Sequence, residues 1–155
     1  MTLTVGSPVA GTVVAITAVP DPVFAEQMVG PGTAVEPADG VAVAPVDGTV
    51  VSLHPHAFVL QHAGGAAVLV HLGIDTVELA GEGFTLHVAK GDRIAAGDVV
   101  VHWDPDAVRA GGRSAVCPVV LLESGADQVD PAAAPGAVVA AGTPLLTVRT
   151  DGAAG

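Results

Sequence analysis

Glycine and proline break this chain so often that no long helix can run through it: 20 Gly and 12 Pro are spread over 155 residues. Pro lacks the backbone donor a helix needs, and Gly loses the most freedom on being fixed in one. Between these breaks lie short apolar runs such as Val68-Leu69-Val70 and Val99-Val100-Val101, and Val suits a pleated sheet. The expected fold is all-β, an antiparallel β-sandwich or barrel-sandwich-like domain with one or two short helices. The helical candidates are residues 22–28, with Asp21 as N-cap, and residues 105–110, with Asp104 in that role.

The chain also echoes itself. Pro8-Val9-Ala10-Gly11-Thr12-Val13-Val14 recurs as Pro45-Val46-Asp47-Gly48-Thr49-Val50-Val51. Gly91-Asp92-Arg93-Ile94-Ala95-Ala96-Gly97 is matched by Gly136-Ala137-Val138-Val139-Ala140-Ala141-Gly142, each ahead of an apolar run. Two related half-motifs folded against each other make a sandwich, and two copies are too few for a solenoid. No stretch reads as an interdomain linker. Residues 1–150 are therefore read as one domain and 151–155 as a disordered tail.

Sixteen acidic residues face five basic ones, a net charge of −11. Such a chain repels nucleic acid and anionic lipid, both of which are bound largely through Lys and Arg, and suits a protein partner with a basic face. Cys117 is the only cysteine, so no intrachain disulfide forms and a reducing cytoplasm is the natural compartment. The N-terminus lacks the basic and apolar regions of a secretory signal. The uncharged stretch from 48 to 74 is interrupted by His, Pro and a Gly pair, which argues against a membrane span.

The most informative stretch follows Leu53. Residues 56–62 read as a strand, Ala63-Gly64-Gly65 as a turn and residues 66–72 as the return strand. With an even-length loop, opposed positions sum to 127 and His56 faces His71 across the ladder, Cβ atoms roughly 4.5–5.5 Å apart. An odd loop shifts the sum to 128 and puts the two rings on opposite faces. An imidazole near neutral pH is a competent nucleophile toward a phosphoryl group, and a second imidazole donates a hydrogen bond to the group transferred. The acceptor ring needs one tautomer held in place, and Gly73 and Asp75, two and four residues on, are placed to do this. The same two histidines are candidate zinc ligands at a partner interface, although two ligands alone do not make a zinc site and the usual Cys partners are absent. His62, His87 and His102 have no obvious partner and read as surface or strand residues.

The run His71-Leu72-Gly73-Ile74-Asp75-Thr76-Val77-Glu78-Leu79-Ala80-Gly81-Glu82-Gly83-Phe84 resembles the signature of the glucose-type IIA family of the bacterial sugar phosphotransferase system. Ser7-Pro8, Pro20-Asp21, Val23-Phe24-Ala25-Glu26, Val29-Gly30, Ala44-Pro45-Val46-Asp47-Gly48-Thr49, His56-Ala57-Phe58 and Cys117-Pro118-Val119-Val120 follow in family order, over about residues 4 to 149. The resemblance implies a cytoplasmic phosphotransferase component that needs no cofactor and carries a transient phosphohistidine. It implies that His71 accepts the phosphoryl group at Nε2 from the histidine-containing phosphocarrier protein HPr and passes it to the IIB domain of a sugar permease. His56 matches the second active-site histidine, Asp21 and Asp75 the carboxylates, and Val23, Phe24, Met28, Val29 and Val77 the apolar rim on which partners dock. A regulator that uses the same face to bind and inhibit metabolic enzymes or transporters is an alternative reading, and that role can coexist with phosphoryl transfer.

Three departures stand out. His54 occupies a position where the family commonly has Thr, adding a third imidazole. Leu72 stands where an aromatic residue often sits. Only six residues precede Ser7-Pro8, so the amphipathic extension of some relatives is missing and a fully soluble protein is expected. Two other classes fit less well. A lipoyl- or biotinyl-type carrier needs a lysine on a hairpin tip, whereas Lys90, the only lysine, sits in a different turn. A zinc peptidase of the LytM type needs an Asp and further His at set spacings, which are absent.

Overall fold

Between their glycine turns the valine-rich runs form strands, in a computed structural model that describes residues 2–122 and 124–149. In chain order these are β1 (Thr2–Gly6), β2 (Gly11–Val14), β3 (Gly32–Pro37), β4 (Val41–Val43), β5 (Gly48–His54), β6 (Ala57–Gln61), β7 (Ala67–His71), β8 (Thr85–Leu86), β9 (Arg93–Ile94), β10 (Val99–His102), β11 (Cys117–Leu122), β12 (Val129–Pro131), β13 (Val138–Val139) and β14 (Pro144–Arg149). All pairings are antiparallel. One sheet runs β13-β2-β3-β11-β7-β6-β5-β9, and two three-stranded sheets run β1-β14-β12 and β4-β10-β8. The expected all-β architecture is observed. The tail 151–155 lies outside the described residues.

Both helices start where expected. In α1 (Pro22–Ala25) the Asp21 carboxylate accepts from the Val23 amide at 2.9 Å, and in α2 (Pro105–Ala110) Asp104 accepts from Ala107 at 3.0 Å. The first helix is shorter than the sequence suggested, because Gln27 takes a positive φ of 57° and turns the chain out of it.

The internal echoes are a pseudo-two-fold axis. Thr12 pairs with Val138 and Gly11 with Val139, as Thr49 pairs with Arg93 and Gly48 with Ile94. The Gly142 amide donates to Ser7 at 2.8 Å, and its counterpart Gly97 donates to Ala44 at 2.9 Å; both glycines have φ near +90°, which a side chain would resist. The axis crosses the large sheet between β11 and β7, where Val119 faces Val70. One half is contiguous, β4 to β10. The other is split around it, β1–β3 before and β11–β14 after.

The interior face of the large sheet packs against the small sheets through Phe58, Leu60, Val68, Val70, Leu72, Val119, Leu121 and Leu145, all fully buried. Burying each Leu or Phe of this kind contributes about 1.5–3 kcal/mol. The outer face carries a smaller cluster. There the connection 15–31, with Ile16, Val19 and Phe24, covers Ala34, Val116 and Val120.

Candidate functional site

Alternation along β7 sends Val68 and Val70 into the core and Leu69 and His71 to the outer face. His71 is the last residue of the strand, and the chain turns at once. Its Nδ1 lies 2.6 Å from the Gly73 carbonyl oxygen, so Nδ1–H donates and Nε2 keeps its lone pair. No described residue hydrogen-bonds Nε2. Gly73 can curl its carbonyl back in this way because φ is +77°, and an added Cβ would lie 2.7 Å from Thr76 Cγ2 and 3.1 Å from the Ser114 carbonyl oxygen. The loop is locked from both sides: Thr76 Oγ1 donates to Leu72 O at 2.7 Å, and the Ile74 amide donates to Ser114 O at 2.9 Å. Thr76 stands inside the run that follows His71, whereas Ser114 carried no sequence signal.

The hairpin register differs from the expected one. His71 pairs with Ala57 and Val70 with Phe58, so positions sum to 128. The loop spans His62 to Ala66, closed by the His62 amide on Ala66 O at 2.8 Å, and is therefore odd. That register alone would separate the two histidines, yet their rings meet, centroids 5.2 Å apart at 70°. His56 is not in the strand. It lies in the two-residue turn Pro55-His56 between β5 and β6, where alternation no longer dictates direction, and its carbonyl accepts the Leu72 amide at 2.7 Å.

Phe24 also differs from expectation. It is only 6 % exposed, and its ring meets His71 edge-on, centroids 5.3 Å apart. It is part of the floor, not of an exposed rim. Val23, Met28 and Val77 do stand in solvent, at 41 %, 70 % and 61 %, while Val29 is half-buried against the outer cluster. His54, the last residue of β5, is exposed with its ring 5.8 Å from His56. Asp21 is occupied as the α1 cap, and Asp75 heads the 3-10 turn (Thr76–Leu79) at φ +60°. Arg113 ties that turn down through Glu78 at 3.2 Å.

Burial pushes His71 below the ordinary imidazole value of 6.5, outweighing the Gly73 hydrogen bond and the charges of Asp21 and Asp75, which pull it up. His56 is lowered by burial, then by the neighbouring His71 and His54. Both rings are thus neutral at pH 7, as a nucleophile requires. Cys117 is no rival: burial pushes its thiol up to about 12. Among the described residues no group of three or more His, Cys, Asp or Glu converges on one point, so zinc at His56 and His71 has no support. No described helix is long and apolar enough to cross a membrane.

The remaining histidines are not all solitary. His62 Nδ1 contacts Asp47 O at 3.0 Å. His87 and His102, expected to lack partners, hydrogen-bond each other through Nε2 and Nδ1.

Comparison with known proteins points one way. Residues 3–127 match the family model described as phosphoenolpyruvate-dependent sugar phosphotransferase system, EIIA 1. The glucose-specific EIIA component of Halalkalibacterium halodurans is 41 % identical over 148 residues, covering 94 % of this chain and 86 % of that protein. The glucose-specific EIICBA component of Streptococcus pneumoniae is 51 % identical over 118 residues, but the matched part is only 16 % of its length. The solved glucose permease IIA from Mycoplasma capricolum superposes with a TM-score of 0.88 at 32 % identity, covering 96 % of this chain and 97 % of that one.

Proposed function

This chain belongs to the EIIA 1 family of the phosphoenolpyruvate-dependent sugar phosphotransferase system, and we propose that within it His71 is the phosphoryl carrier. The observation that carries the reading is the Nδ1–Gly73 hydrogen bond, which leaves the His71 Nε2 lone pair directed away from the loop. Nε2 attacks the phosphorus of phospho-HPr. The new P–N bond forms as the donor's P–N bond breaks, and the donor ring leaves with the electron pair. The His71 ring then gains positive character, which the Gly73 carbonyl stabilises through the retained Nδ1 proton. His56, with its ring against His71, donates to a phosphoryl oxygen, and transfer to the IIB domain of a sugar permease reverses the steps.

Phosphoryl transfer needs alignment and charge stabilisation more than covalent help from the protein. Phe24 and His56 both pack edge-on against the His71 ring, and Val23, Met28 and Val77 offer an apolar surface whose covering excludes water from the phosphohistidine. The setting is cytoplasmic, where both phosphoryl donor and permease domain are met. The Streptococcus pneumoniae relative carries its EIICBA parts in one chain, which supports a IIB domain as acceptor.

The test is incubation with Enzyme I, HPr and radiolabelled phosphoenolpyruvate. His71→Gln takes no acid-labile label. His56→Gln takes label but passes it to a IIB domain on the order of 10²–10³ more slowly, the scale for loss of one such donor. Wild-type protein that takes no label from competent HPr would sink the reading.

A further inference from the structure

His87 and His102 form a second imidazole pair that the phosphoryl chemistry does not use. His87 follows β8, and His102 ends β10 opposite Thr85. The connection between them returns the chain so that His87 Nε2 meets His102 Nδ1, with ring centroids 4.5 Å apart and planes at 82°. Both residues are exposed to solvent.

The pseudo-two-fold axis supplies an internal control for what this pair does. Its counterparts in the other half are Ala132 and Thr147, since Val101 pairs with Leu86 as Leu146 pairs with Pro131. The backbone contact is the same in both places: His87 N donates to Val100 O at 2.8 Å, and Ala132 N to Leu145 O at 2.9 Å. The scaffold therefore holds this rung without histidine. Two exposed imidazoles with converging nitrogens are left over from the needs of the fold.

We propose that His87 and His102 chelate a divalent ion of tetragonal preference, Cu²⁺ foremost and Ni²⁺ next, with water completing the coordination. Imidazole nitrogen suits these ions, and open tetragonal sites with N and O ligands are theirs, whereas structural zinc calls for four fixed ligands. The ring that donates the present hydrogen bond moves its proton to its other nitrogen, so both lone pairs face the ion and no net proton is lost. Adjacent nitrogens about 2 Å from an ion lie roughly 3 Å apart, within reach of a small side-chain adjustment. The chain's net charge of −11 draws cations to its surface.

The test uses the full chain carrying His54→Gln, His56→Gln and His71→Gln, so that the phosphoryl site cannot contribute ligands. Titration with CuCl₂ alone is followed by calorimetry and by electron paramagnetic resonance, which counts equatorial imidazole nitrogens. One ion with two such nitrogens is expected. His87→Ala and His102→Thr, each borrowing the residue of the other half, should each weaken binding by about tenfold or more, a range in which even outer-shell partners of a metal are felt. Neither substitution, made in the otherwise wild-type chain, should alter phosphoryl transfer. A single nitrogen, or an affinity unchanged when both are replaced, overturns the proposal. If a variant fails to fold, copper-induced broadening of amide resonances decides. Broadening confined to residues 85–88 and 99–103 supports the site, and its absence there overturns it.

Discussion

The two halves related by the pseudo-axis share their strands and differ in nearly everything attached to them. All six histidines lie in the contiguous half, between positions 54 and 102, and none in the split half. His71 and Val120 occupy equivalent places on β7 and β11, on the same outer face, yet one is half-exposed and the other fully buried. The connections decide this. Between β5 and β6 the chain turns in two residues, Pro55 and His56, whereas the corresponding connection 15–31 folds across the sheet, covers Val120 and brings Phe24 to His71. The repeated backbone makes the platform, and unequal connections turn one of two equivalent positions into a site.

That contrast can be broken most forcefully at Phe24, the point where one half reaches the other. Phe24→Ala should lower stability by about 3 kcal/mol, as for a buried Phe, read from urea denaturation. It should also shorten the lifetime of phosphorylated His71, because one wall of the ring is lost. An unchanged lifetime would mean that the long connection merely packs.

Gly73→Ala sharpens the contrast with a smaller effect. The positive φ and the contact with Thr76 should together cost about 2 kcal/mol. The labelling rate should fall more than the melting temperature alone accounts for, since the Gly73 carbonyl sets the His71 tautomer. Equal label uptake would show that the hydrogen bond is incidental.

The smallest effect is one of pH. His71 and His56 are held below 6.5 in the folded chain. Below that value the unfolded chain binds protons that the folded one resists, so these groups make stability fall as pH drops from 6.5 toward the folded values, and have no effect well above it. The difference in unfolding free energy between pH 7.5 and 5.5 should therefore be smaller in His71→Gln than in wild type. Parallel profiles would place the His71 pKa at its unfolded value.

Much of this was legible in the chain itself. The twin Pro-Val-x-Gly-Thr-Val-Val runs foretold the repeated half-motif, and Asp-Pro at 21–22 and 104–105 marked both helix starts. The motif after His71 marked the loop whose Gly73 carbonyl holds the His71 ring. The hairpin register was not legible, because Ala63-Gly64-Gly65 permits loops of either parity and the choice lies in the His62–Ala66 closure. Nor was the approach of His56, since a turn residue obeys no alternation rule. Phe24 was placed on the rim by resemblance, and a short capped helix does not itself reveal which side chain folds under it. The His87–His102 contact depends on how the connection between them returns, which spacing alone does not fix.

The insertion of one half into the other has a consequence for synthesis. Residues 41–102 leave the ribosome as a contiguous unit whose strands can pair as they appear. β3 and β7 then wait as two unpaired edges until β11 emerges to fill the gap between them. At about 5–20 residues per second that interval is on the order of seconds. During it the nascent chain displays two open strand edges of the kind that recruit other chains, and the central strand Cys117–Leu122 is the stitch that closes both.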